Sequence, residues 1–435
     1  MSSEVKHAER HTTENRVRAL HTVGVVCGLA AGAWLGTAEA PVKMAAGQAQ
    51  PLIVTLGMVL GVFMARWTVP VMLKGAGFIF RDFRQNKHLI AWALLAGALW
   101  VVANTLTVFA IKNVGLSIAF PLWNSNCLIG LFWGWLFFNE LRGAGWKGLL
   151  QVFGGSLALV VGAAILAWAT AERTPVAGAH PMLGIAAALG AGALWGTQYI
   201  PYRKAYISGM TPLSFVTVIA LGELVTTVVL SVFFAGSFTN LGHQIAAAKP
   251  FLFWLFLGGI CWVFGDLFQQ YAAKYIGIGR GIPLSNTNQL WGLAWGALVF
   301  GELTSIGAHA RVLVLIGSLI MILGAAFIGT AAAPASERSS WHSAMMRECD
   351  RYNLDPVRVE QALSGNDEQA RHGVKRRWWE LAFPLCSLAV MVWLAISLER
   401  TSMAMNLSWM FALLAVTVCS LFLSGLLLWK RTRFS

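Results

Sequence analysis

The chain has 435 residues, 57% of them hydrophobic and 12% charged, with a formal net charge of +13. That is more apolar surface than one soluble core can hide, so lipid is the solvent for most of the chain. The basic residues fall mainly in short loops and tails between apolar segments, which is a topology signal and excludes a nucleic-acid patch.

In chain order, Met1 to His21 is a charged tail expected to be solvated, and it lacks the apolar core and small-residue cleavage site of a signal peptide. Apolar spans follow at 22–40, 52–73, 89–111, 116–138 and 147–170, each near the ~20 residues that let a helix cross ~30 Å of hydrocarbon. A loop holding Glu172, Arg173 and Pro175 leads to five more, at 182–201, 212–235, 251–273, 281–301 and 311–331. The polar stretch 332–377 is expected to hold a short helix over Ser343–Tyr352 and another opened by Asp355-Pro356 and ending near Gly365. Spans at 378–398 and 407–429, joined by Glu399 to Leu407, make a final hairpin before a short tail at 430–435. The hairpin either docks beside the core, binds another subunit or serves as an anchor.

Loop charge sets the expected orientation. With the N-terminus inside, inner segments collect about 25 Lys and Arg, including Lys74, Arg81, Arg84 and Lys87, against about six outside. Both termini are therefore expected in the cytoplasm.

One string is written twice. Pro121-Leu122-Trp123-Asn124-Ser125-Asn126 recurs as Pro283-Leu284-Ser285-Asn286-Thr287-Asn288. An offset of 162 residues aligns Gly97–Leu141 with Gly259–Leu303 without a gap, matching Trp100 with Trp262, Lys112 with Lys274 and Glu140 with Glu302. Gly36-Thr37 and Pro41 echo Gly196-Thr197 and Pro201, so the repeat covers five-span halves, 22–171 and 181–331. Five is odd, so the second half enters the membrane from the opposite side. The expected fold is an all-α polytopic membrane protein: a ten-helix core of two inverted five-helix repeats, then a linker and a two-helix hairpin.

Amides in hydrocarbon need partners, which makes the string a candidate binding site. Proline also frees the carbonyls of Ser117 and Gly279 from helical hydrogen bonds. Asn124 and Asn286 are assigned to a central cavity. Asn126 and Asn288 share a face with the close-packing glycines Gly130, Gly134, Gly292 and Gly296, and are assigned to helix packing. Trp123, Gln198 and Gln289 join the candidate substrate site, with Tyr199, Trp195 and Trp291 as neighbours.

Charged groups inside spans are expensive and often functional. Asp266 aligns with Asn104, an acid and its amide at equivalent sites, so both are candidate substrate contacts and Asp266 a candidate proton carrier. Glu223 and Glu39 are further proton candidates, and Arg66 is the natural partner of Glu223. The six cysteines, Cys27, Cys127, Cys261, Cys349, Cys386 and Cys419, show no metal-ligand spacing, and no cofactor or enzyme motif is found.

The run Gly115-Leu116-Ser117 to Pro121, with Phe138-Asn139-Glu140-Leu141 closing its span, resembles the glucose/ribose porter family of the drug/metabolite transporter superfamily. So does Gly277-Ile278-Gly279-Arg280-Gly281-Ile282-Pro283, closed by Phe300-Gly301-Glu302-Leu303. The resemblance covers about residues 20–331 and implies ten helices in two inverted halves and sugar uptake with protons, here from a bacterial-type inner membrane. The two spans beyond Ala332 depart from that pattern. Export of amino acids or other metabolites is the alternative on the same fold, and a non-transporting sensor or assembly partner is a third class. Oligomerisation is left open.

Overall fold

The computed structural model describes residues 3–45, 50–114, 119, 122–170, 180–301, 303–304, 307–365, 377–398 and 405–434, except the side chains of 3–14, 112 and 170. Gly115, Leu116, Ser117, Pro121, Glu172, Arg173, Pro175, Glu302 and Glu399 lie outside the described residues. The described chain is helical, without strands.

The helices are α1 (Ser3–Ala45), α2 (Pro51–Lys74), α3 (Ala76–Gln85), α4 (Leu89–Val114) and α5 (Asn126–Phe138), then α6 (Gly145–Leu149), running through a π turn into α7 (Gly155–Thr170). Next come α8 (Pro181–Ile207), α9 (Pro212–Ala235), α10 (Phe238–Ile276), α11 (Ile278–Ser285), α12 (Asn288–Ala294) and α13 (Ala308–Thr330). The linker holds α14 (Ala335–Tyr352) and α15 (Pro356–Leu363), and the hairpin α16 (Ala382–Ile396) and α17 (Leu407–Thr432).

Among the described residues, nine helices are long and apolar enough to cross a membrane. The expected spans missing from that set are instructive. The one at 116–138 contributes only the shorter α5, with a turn at Asn124–Ser125 before it. The one at 281–301 breaks at Asn286–Thr287 and again at a π segment, Trp295–Val299. The third is α8, whose second half carries Gln198, Tyr199, Tyr202, Arg203 and Lys204. Polar residues lower the apolar character of α8, and turns at paired asparagines interrupt the other two among the described residues.

Other expectations change in extent. Helix α1 runs back to Ser3 through the stretch expected as a solvated tail, and Arg16 Nη2 donates to Ser364 O at 2.7 Å. The linker helix expected from Ser343 begins at Ala335, while Asp355 caps α15 as expected, accepting from Val357 N–H at 3.0 Å. Gly365 ends that segment at φ 70°.

Helix α1 packs along α10, α4 along α8, and α7 along α13, while α2 and α9 each touch the other and the longer neighbours α10 and α4. Small residues set the closest crossings. A methyl group on Gly155 would lie 2.8 Å from the carbonyl oxygen of Gly324, and one on Gly317 would lie 2.8 Å from that of Gly162. The hairpin docks on the bundle. Thr68 on α2 meets Ser387 at 2.7 Å, Trp67 stacks on Phe383, and Thr37 on α1 meets Thr417 at 3.2 Å.

Candidate functional site

The most expensive groups in the bundle stand together. Arg66 on α2, Glu223 on α9 and Asp266 on α10 come from three helices and are at most 1% exposed. Arg66 Nη1 lies 2.8 Å from Glu223 Oε1, and Nη2 donates to Asp266 Oδ2 at 2.7 Å. The Trp262 ring covers the guanidinium at 5.2 Å, and Trp100 packs edge-on against both Trp262 and Trp195. An unpaired charge here would carry a penalty of several kcal/mol, so each helix needs the charges that the other two supply.

Tyr202 on α8 extends the cluster. Its hydroxyl donates to Asp266 Oδ1 at 3.4 Å and accepts from Gln198 Nε2 at 2.8 Å. Gln270 Nε2 donates to Asp266 Oδ2 at 2.7 Å, and Tyr206 OH donates to Gln270 Oε1. The Tyr199 and Tyr202 rings meet edge to face at 6.2 Å, and Tyr199 OH accepts from Asn126 Nδ2 at 3.4 Å. Asn126 Oδ1 in turn accepts from Asn286 Nδ2 at 3.1 Å. The two copies of the string thus bond to each other and connect, through two tyrosines, to the charges.

Asn286, expected at a cavity, and Asn126, expected in helix packing, are thus in direct contact. The two amides are one hydrogen-bonded pair, because the turns at Asn124–Ser125 and Asn286–Thr287 break the continuous helices on which the face counting rested. Asn126 still lies on the glycine face, since Gly130 abuts the Tyr199 ring. Gly134 abuts Glu140 and Ile278, and Gly36 of α1 closes on the backbone of Asn288 and Gly292, while Gly296 is buried in the π segment.

The remaining candidates scatter around this core. Asn124 is buried, and its carbonyl accepts from Cys127 Sγ. Gln289 is buried with Oε1 lacking a hydrogen-bond partner among the described residues, as does Asn288 Oδ1. Asn104 donates to Thr55 Oγ1 at 3.0 Å. Trp123 packs in an apolar cluster with Ala119 and Ala187. Glu39 does not join the charges: it is exposed on α1, with its carboxylate over Gly292. Sequence reasoning paired Arg66 with Glu223 but missed Asp266 as its second partner, and missed Tyr202 and Gln270. The signal was available as polar pairs four apart on one helix face, Gln198 with Tyr202 and Asp266 with Gln270.

A second charge cluster closes one end. Gly277, at φ 84°, turns the chain into α11 so that Ile278 and Gly279 N–H donate to Glu140 at 3.0 and 2.8 Å. Arg203 Nε lies 3.1 Å from the same carboxylate. Glu337 of the linker binds Arg280 through both oxygens at 2.8 Å and accepts from Leu141 N–H at 2.9 Å. Lys204 binds both oxygens of Glu348 at 2.8 Å, and His88 stacks on Tyr352 at 4.0 Å. Burial pushes His88 below its ordinary value of 6.5; Glu348 pulls it back up, and Lys204 adds a smaller push down. Sequence gave no sign of this docking.

Residues 188–348 match the model of the family described as "Sugar transport protein". A protein of Lactobacillus johnsonii described as "Putative sugar uptake protein" is 34% identical over 103 residues, 23% of this chain and 35% of its own length. The chain therefore spans about a third of the length of the curated relative it matches. A solved structure described as "Crystal structure of protein" covers 71% of this chain at 16% identity, and its TM-score of 0.45 carries no argument. Both descriptions that name an activity are of transport and not of catalysis.

Proposed function

We propose that this chain is a secondary transporter that takes up a sugar with protons by alternating access in a bacterial-type inner membrane. The observation that carries this reading is the buried set Arg66, Glu223 and Asp266, joined through Tyr202 and Tyr199 to the paired amides of the repeated string. It combines what such a carrier needs: hydrogen-bonding groups for hydroxyls, and a titratable group beside them. The sugar family match over 188–348 covers α8 to α12, which supply most of these groups.

The core is read as ten helices in two inverted halves. The glycine crossings support it: Gly155 meets Gly324 and Gly162 meets Gly317, and the offset of 162 that relates the strings also carries 155 to 317 and 162 to 324. A two-fold axis between α7 and α13 produces that exchange. The helix pairs α1–α10 and α4–α8 are exchanged in the same way.

The substrate contacts on this reading are Asn124, Asn286, Asn104, Asp266, Trp123, Gln198 and Gln289, with Asn126 added by its bond to Asn286. Loop charge puts the linker and both termini in the cytoplasm. Glu140 of the first half holding Ile278 and Gly279 of the second then ties the cytoplasmic end shut, and solute enters from the opposite end. The test is uptake of labelled D-glucose and D-ribose into proteoliposomes under an inward proton gradient. Asp266→Asn is expected to abolish it, and undiminished uptake by that variant contradicts the site.

A further inference from the structure

Proton coupling, as read above, leaves open which carboxylate carries the proton, and the hydrogen bonds around Arg66 distinguish the two. One guanidinium balances one carboxylate. A second ionised carboxylate in the same buried cluster is an uncompensated charge, and such a group neutralises by taking a proton. Asp266 is built as an anion: its oxygens accept from Arg66 Nη2 and Gln270 Nε2, each at 2.7 Å, and from Tyr202 OH at 3.4 Å. Glu223 is not. Its one ion-pair contact is Arg66 Nη1, 2.8 Å from Oε1, and Oε2 has no hydrogen-bond partner among the described residues. The groups facing it are Arg66 from α2, Asp266 from α10 and Tyr202 from α8, while α4 approaches it with Gly97.

Two more orphan polar atoms continue from Glu223 along α9. Thr227 Oγ1 and Ser231 Oγ are buried without hydrogen-bond partners among the described residues. Helical hydroxyls ordinarily bond the carbonyl four residues back, as Thr105, Thr107 and Ser156 do here. Residues 223, 227 and 231 share one helix face, and each step advances about 6 Å along the axis. One water making two hydrogen bonds of about 2.8 Å spans such a step. The stripe points away from the linker, because α9 begins at Pro212, just after Gly209 against Val359 of the linker, and ends at Ala235 beside the start of α10.

We propose that Glu223 is the proton-carrying carboxylate, that Asp266 is the fixed counter-ion of Arg66, and that Thr227 and Ser231 line the proton's path between Glu223 and the membrane face opposite the linker. The step is an O–H bond made at one Glu223 carboxylate oxygen and broken there on release, so the cluster alternates between net zero and one negative charge. This rests on the proton-coupled reading and names its residue.

The test uses the full chain in lipid and needs no sugar. Infrared spectra at neutral pH are expected to show the C=O stretch of a buried carboxylic acid that shifts with 13C-glutamate, ignores 13C-aspartate and is absent from Glu223→Gln. A band that follows the aspartate label, or survives that substitution, overturns the assignment. Thr227→Val and Ser231→Ala are expected to retain the band but slow its hydrogen–deuterium exchange about tenfold. Unchanged exchange in both overturns the path. The two readings also fail separately: proton-driven uptake that survives Glu223→Gln sinks the assignment alone, whereas the expected spectra with no movement of D-glucose or D-ribose sink the uptake reading alone.

Discussion

Glu337→Gln tests whether the linker is locked to the helix end that the proposed reading takes as closed. Glu337 is 0% exposed and Arg280 1%, and two contacts of 2.8 Å join them, with Leu141 N–H as a third partner at 2.9 Å. Glutamine keeps the volume and leaves an acceptor for the Leu141 amide, so what is removed is the charge. Arg280 is left as a buried cation without its counter-charge, a loss of about 3–5 kcal/mol. Arg280→Met strands the carboxylate at a similar cost. With both changes no buried charge remains unpaired, so the double variant is expected to lose less than the two single losses added together, with a coupling of at least about 2 kcal/mol. Reversible unfolding in mixed micelles, titrated with SDS, measures all four proteins. Additive losses, or a Glu337→Gln protein within about 0.5 kcal/mol of the parent, would refute the reasoning.

Four other outcomes are expected. Asn126→Ala and Asn286→Ala are each expected to cost about 1 kcal/mol, but the double variant little more than one of them, because the amides bond each other; full additivity in the same titration contradicts this. Gly155→Ala and Gly317→Ala place a methyl 2.8 Å from a facing carbonyl oxygen and are expected to cost about 1–3 kcal/mol each, by the same amount if the halves are equivalent. Arg66→Met leaves Asp266 without its cation and is expected to reduce folded protein, seen as loss of the monodisperse peak on size exclusion, while Arg66→Lys restores part of it. For His88, the docked-state value lies below the ordinary 6.5, so docking favours the neutral ring. Its contribution is present above 6.5 and is lost as pH falls below that value, so protease cutting of the linker should rise on acidification, and less so in His88→Gln.

The repeat could be read from the sequence because proline, asparagine and glycine recur in register without a gap around the string. The same offset also carries Gly155 and Gly162 onto Gly317 and Gly324, but glycines in apolar spans are common, and only the crossing of α7 on α13 picks these out. Arg66 and Glu223 stood out as charges inside spans. That Asp266 shares Arg66 was hidden, because it depends on how α2, α9 and α10 cross. Counting helix faces could not foresee the bond between Asn286 and Asn126, because the helices stop at Asn124 and Asn286. The linker was the least readable part. Glu337, Glu348 and Tyr352 look like an ordinary polar helix, and their partners Arg280, Lys204 and His88 lie far away in the chain.

The most direct measurement of the central claim is accumulation of labelled D-glucose and D-ribose in proteoliposomes, with and without a proton gradient directed inward. Proton-coupled uptake predicts accumulation above the external concentration only when the gradient is present, and its collapse when a protonophore is added. No accumulation of either sugar in any condition, or equal uptake with and without the gradient, would contradict it.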